Sequence, residues 1–165
     1  MNKTMKNNWI EKLKEQNACR DGIDWASEQE SPQAAWDACE RGDWMLWAWG
    51  KNCGAQGSKS HRMLVLCCVE IEKTSVKYIK NKEVKKLVKK SLDTTERWAR
   101  GEKSVTLEDV KKDNIYHSIA VTAVTAAADA WYVASETTTL KESADIIRTI
   151  QPLCPRFKKR GNMVT

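Results

Sequence analysis

Residues 62–79 read RMLVLCCVEIEKTSVKYI, and how this stretch folds decides the class of the whole chain. Residues 63–69 are apolar without interruption, so periodicity alone allows either a buried strand or a buried helix. Length separates the two. Ile71, Val76 and Ile79 carry the apolar pattern past the roughly 4–8 residues of an ordinary strand. The segment therefore reads as a central helix covered on all sides.

Upstream, residues 3–18 form an amphipathic helix through Met5, Trp9, Ile10 and Leu13, ended by Asp21-Gly22. A short second helix carries Ile23, Trp25 and Ala26. Ser31-Pro32 is a start signal, with Ser as N-cap and Pro at the first helical position. This third helix runs through Ala35, Trp36 and Cys39 and stops at Arg41-Gly42-Asp43. Asp43 then caps a helix over 44–53, and residues 54–60 read as an exposed, mobile loop.

Downstream, Val84, Leu87, Val88, Leu92, Thr95 and Trp98 mark one helix face, closed by Gly101. Lys82, Lys85, Lys86, Lys89 and Lys90 take the opposite face. Thr106 and Asp109 resemble a capping box that opens the longest helix, 107–134, whose part 120–134 is rich in Ala and Thr. A last helix, 139–150, turns Leu140, Ala144, Ile147 and Ile150 inward and is ended by Pro152 and Pro155. These readings predict an all-α, single-domain globular bundle of about six to eight helices over 1–155, with 156–165 a basic flexible C-terminal tail. No repeat with a period of roughly 20–50 residues is present, which argues against a solenoid.

The 165 residues suit one core, and 41% hydrophobic with 30% charged residues is ordinary for a globular chain. Eight tryptophans against one phenylalanine is not ordinary. Each buried indole removes much apolar area from water yet leaves an N–H needing a partner. No apolar run nears the roughly 18–20 residues that cross a bilayer, and residues 1–12 lack a signal-peptide core. The expectation is a cytoplasmic protein without membrane contact, its six cysteines reduced; Cys19, Cys67 and Cys68 fall in helical, apolar segments.

No catalytic motif stands out. Adjacent Cys67-Cys68 diverge by about 100° on a helix, and neither His61 nor His117 sits in a zinc-binding pattern, so no metal and no cofactor are expected. His61 lies six residues before Cys67, which is not a facing spacing for a nucleophile and its base. Nucleophile-elbow, P-loop and dinucleotide signatures are missing. Asp145 and Arg148, three apart, read as a surface ion pair worth under about 1 kcal/mol.

The densest feature is Glu40-Arg41-Gly42-Asp43-Trp44-Met45-Leu46-Trp47-Ala48-Trp49. Read structurally, it is a helix–turn–helix corner in which Asp43 caps, Arg41 pairs with an acid and the indoles fill the core. Read functionally, it is a recognition surface in which Arg41, Asp43, Trp44 and an exposed Trp49 meet a partner, Trp and Arg being the usual interface anchors. The lysine face divides the same way. It is a solvated surface, or it contacts phosphate or an acidic partner through Lys82, Lys85, Lys86, Lys89 and Lys90, within a net charge of +6. Few aromatics line that stripe, Tyr78 alone being near, which disfavours single-strand recognition.

Ala18-Cys19, Trp25, Ala35-Trp36-x-x-Cys39-x-Arg41-Gly42-Asp43-Trp44-Met45-Leu46-Trp47 together resemble the N-terminal signature of the immunity protein family numbered five (Imm-5). Residues 64–68, 96–102 and 144–148 are similar to later blocks of that family, so the likeness spans about residues 9–152. The lysine-rich stretch 77–90 departs from the pattern. The resemblance implies a small all-α protein of bacteria or phages, cytosolic and non-enzymatic, that binds and neutralises a co-encoded toxin. The expected function is thus steric inhibition of a toxin or defence component. The rivals are a phage accessory protein binding nucleic acid through the basic face, and an enzyme built around His61, Asp43 or Cys53.

Overall fold

A computed structural model describes residues 3–80, 82–112 and 140–157, the side chains of residues 3–7, 75 and 84 excepted. Among the described residues there are eight α-helices, one 3-10 turn and no strand. The all-α expectation holds. In chain order the helices are α1 (Lys3–Glu15), α2 (Arg20–Glu28), α3 (Pro32–Ala38), α4 (Gly42–Asn52), α5 (Lys59–Ser75), α6 (Lys82–Ala99), α7 (Leu107–Lys112) and α8 (Leu140–Ile150). Only the start of the expected helix over 107–134 falls within the described residues; its Ala-rich part and residues 158–165 lie outside them.

The deciding stretch is helix α5, with a 3-10 turn over Val76–Tyr78 in place of its expected last turn. Ser58 caps it by accepting from the His61 N–H at 3.2 Å. Leu64, Val65, Cys67, Cys68, Val69 and Ile71 are all at most 1% exposed, which accounts for the missing stripe: α5 is covered nearly all round. It packs most extensively on α6, and α8 lies against both α4 and α5. Val88, Leu92, Thr95 and Trp98 do form the inner face of α6, but Leu87 is exposed at one flank.

Local signals explain most boundaries. The Ser31 hydroxyl accepts from the Ala34 N–H, Pro32 sits in the first turn of α3, and Gly101 takes the left-handed conformation (φ +83°) that ends α6. Thr106 and Asp109 cap α7 reciprocally, at 2.8 and 3.2 Å. Two expected breaks move. The first helix ends at Gln16-Asn17, where Asn17 adopts φ +61°, a conformation Asn tolerates better than most residues. Asp21-Gly22 lies inside α2, and a Cβ on Gly22 would come within 3.2 Å of the Cys19 sulfur, so glycine there makes room. Asp43 is not a cap: α4 already begins at Gly42, and Asp43 occupies its first turn.

Two polar devices tie the bundle together. Arg148 is no simple surface pair. Its Nη1 donates to the Trp36 and Cys39 carbonyl oxygens at 3.2 and 2.7 Å, capping the C-terminus of α3, while Nη2 donates to Asp145 at 2.7 Å. Inside, the side-chain amides of Gln16 and Asn52 bond reciprocally at 3.1 and 3.3 Å, joining the end of α1 to α4. At the crossing of α4 and α8 the backbones approach so closely that a Cβ on Gly42 would lie 2.6 Å from the Ser143 Cβ.

Candidate functional site: a tryptophan cleft

Helices α1 to α4 leave between them a partly open cleft of about 680 Å³. Trp9, Trp25, Trp36, Trp44, Trp47 and Phe157 form its walls. The volume is in the usual range for binding pockets, and apolar walls broken by a few polar groups are their usual chemistry. The helical period produces the lining: Trp44 and Trp47, three apart, share a face of α4.

Arg41 and Asp43 form the polar edge. The guanidinium donates through Nε and Nη2 to the two carboxylate oxygens at 2.9 and 2.7 Å, a planar bidentate pair. Its carbon also lies 4.5 Å from the centroid of the Trp44 ring, and Trp44 in turn meets Trp25 at 5.9 Å, tilted by 54°. Arg41 is thus held flat by a carboxylate and an indole at once. On the lining, burial pushes the Cys39 thiol up, so it stays protonated, whereas Cys19 is exposed at the N-cap of α2 and not in an apolar helical interior.

Of the sequence-derived partner residues, the cleft brings together Arg41, Asp43 and Trp44. Trp49 is a correction. It is 1% exposed and donates its indole N–H to the Ser60 hydroxyl at 3.3 Å. Trp49 and Asn52, three apart, are buried on α4, and neither lines the cleft.

The lysine face is a separate surface on α6. Lys82, Lys86 and Lys89 are exposed and form no ion pair among the described residues, and Lys85 donates to the Lys77 carbonyl at 3.3 Å. The other end of the same helix is neutralised by acids: Arg97 pairs with Glu102, and Lys73 and Arg100 with Glu96.

Around His61 the arrangement is structural. The ring is buried, accepts at Nδ1 from the Gly57 N–H at 3.2 Å and meets Trp98 edge-on at 6.1 Å; burial lowers its pKa. Cys67 is wholly buried and its pKa is raised well above the ordinary thiol value, so it is no accessible thiolate. Cys53 is buried too, its sulfur 3.3 Å from the Gly50 carbonyl oxygen. Among the described residues no three His, Cys, Asp or Glu side chains gather as a metal site would require.

The sequence reading missed one wall. Beyond α8, residues 151–157 run back across α3 and deliver Phe157 to the cleft, although the reading assigned Arg156 and Phe157 to a frayed tail. The one available signal was that the chain's single phenylalanine stands just after two prolines. Comparison with family models, characterised proteins and solved structures finds no match for this chain.

Proposed function

We propose that this chain is a binding protein that occludes a partner protein, and that the partner docks at the tryptophan cleft and its Arg41–Asp43–Trp44 edge. The observation that carries the reading is the cleft itself. Six aromatic rings converge there on a surface opening whose one polar edge is rigid. Rigid indoles beside a pre-ordered Arg are what interface hot spots are made of, because little side-chain entropy is lost on docking. The Imm-5 resemblance is most specific at Arg41-Gly42-Asp43-Trp44, the block that supplies the polar edge of the cleft, and it points to a toxin or defence component as partner. Cys39 lines the cleft as a buried thiol whose pKa burial raises, and His61 is not among the lining residues, which weighs against a thiol–imidazole reaction there.

Affinity capture from the native host, with the wild type and an Arg41→Ala/Trp44→Ala chain side by side, tests the proposal. The expected result is one protein retained by the wild type and lost by the variant at unchanged circular dichroism. Equal retention by both, or none by either under any growth condition, removes it.

One observation favours a second reading. Among the described residues Lys82, Lys86 and Lys89 have no acidic partner while many other cations do, which suits phosphate contact. Gel shift with duplex DNA at low salt is the check, and no retarded band would end it.

A further inference from the structure

The segment that closes the cleft is latched along its length. Leaving α8, the Gln151 carbonyl accepts from the Trp36 indole N–H at 2.9 Å. The Gln33 amide then holds the chain twice, donating to the Pro152 carbonyl at 3.0 Å and accepting from the Cys154 N–H at 2.8 Å. Last, Lys12 donates to the Phe157 carbonyl at 3.2 Å, and the Phe157 ring stacks on Trp9, centroids 6.3 Å apart and planes 30° apart. Irregular backbone with two prolines thus runs along α3 and ends in an aromatic ring at the cleft wall, as a peptide ligand could.

We infer that residues 151–157 are a resident pseudo-ligand. The cleft accepts an aromatic side chain on a non-helical, proline-containing segment of the partner, and Phe157 competes for that place until the strap lifts. This rests on the cleft being the docking site and adds the chemistry of what docks there. Three features make the strap displaceable without unfolding the bundle. Past the Gln151 N–H, which closes α8 on the Ile147 carbonyl, its bonds to the bundle go to the Gln33 amide, an indole and an ammonium of α1 and α3. Leu153 beside the latch is 68% exposed, so lifting the strap uncovers little there. The Trp9 indole N–H also has no acceptor among the described residues, so ring stacking on Trp9 is not reinforced by a hydrogen bond from it there. A tethered competitor lowers the apparent affinity for an incoming ligand by the fraction of time the site stands open.

The test uses the full chain and a fluorescein-labelled peptide of residues 151–159 carrying Cys154→Ser, followed by anisotropy. A strap that occupies the cleft nine-tenths of the time predicts about tenfold tighter binding to Phe157→Ala protein than to wild type. The same peptide with Phe157→Ala should bind neither protein. Equal affinity for wild type and Phe157→Ala protein overturns the inference, and so does no binding to a Phe157→Ala chain whose circular dichroism is native. Since no partner is needed, a positive result here beside a failed capture would refute only the choice of a protein partner.

Discussion

Replacing Gly42 by alanine is the sharpest probe of how the cleft edge is held. The new methyl would lie 2.6 Å from the Ser143 Cβ and 3.0 Å from both the Ala144 nitrogen and the Leu140 carbonyl oxygen. Carbon contacts settle near about 3.5–4.0 Å, and two of these three neighbours are backbone, so α4 and α8 have to move apart. Overpacking of this kind costs about 1–3 kcal/mol, and the better helix propensity of Ala returns at most about 1. The expected net loss is about 1–2 kcal/mol, read from urea unfolding followed by tryptophan fluorescence, with the slope unchanged. Ser143→Gly, which removes the nearest atom, should recover part of the loss as a coupling in a double-mutant cycle. Ser143→Ala keeps the Cβ and should recover none; alone it should stabilise by up to about 1 kcal/mol, because the buried Ser143 hydroxyl has no partner among the described residues. A Gly42→Ala protein as stable as wild type would refute the reasoning, since it would mean the helices are not in the contact described.

Three further outcomes are expected. In native protein a thiol reagent such as Ellman's should titrate one cysteine fast, the exposed Cys19, while burial holds Cys68 and Cys154 near pKa about 12; several fast thiols would contradict this. Burial lowers the His61 pKa below its ordinary 6.5, so the unfolded chain binds the extra proton first. Its contribution is whole above pH 6.5 and fades as pH falls through that value toward the folded pKa. The urea midpoint should therefore drop in that window, and less so in His61→Asn, whose side-chain oxygen can still accept from Gly57; identical pH profiles would contradict it. Arg148→Met should lose about 2 kcal/mol, because it strands the Trp36 and Cys39 carbonyls at the end of α3, whereas Asp145→Asn should change little; equal effects in the two variants would mean that the ion pair dominates.

The helical class was legible because the residues that set it act locally. Ser31-Pro32, Thr106 with Asp109, and Gly101 each bring their own hydrogen bond or backbone conformation, and none needs a distant partner. The unbroken apolar run at 63–69 became decisive once its continuation past strand length was weighed. Where the reading slipped, tertiary contacts had overruled local preference. Gly22 looked like a breaker because glycine is a poor helix former, yet it is kept for the room it leaves beside Cys19 and Trp44. Trp49 looked available because three indoles in six residues cannot share one face. The rule was sound, but only the packing against α5 and α8 decides which indole turns inward. Half of the site was visible in Arg41, Asp43 and Trp44. The other half was not, because Trp9 meets Phe157, and Gln33 meets Pro152, across more than a hundred residues and no spacing rule links them.

The amide pair between Gln16 and Asn52 has a consequence for how the first helix finds its seat. Two leucines there would glue α1 down by area alone, and a shift of one turn along its neighbour would lose little. Two amides, each taking what the other gives, tolerate no such slip: a misaligned helix strands donors and acceptors in oil, at a few kcal/mol for the set. The bond therefore works as a key. It adds little grip, but it admits α1 in a single alignment, and Trp9, less than two turns upstream, comes to rest at the cleft wall for that reason.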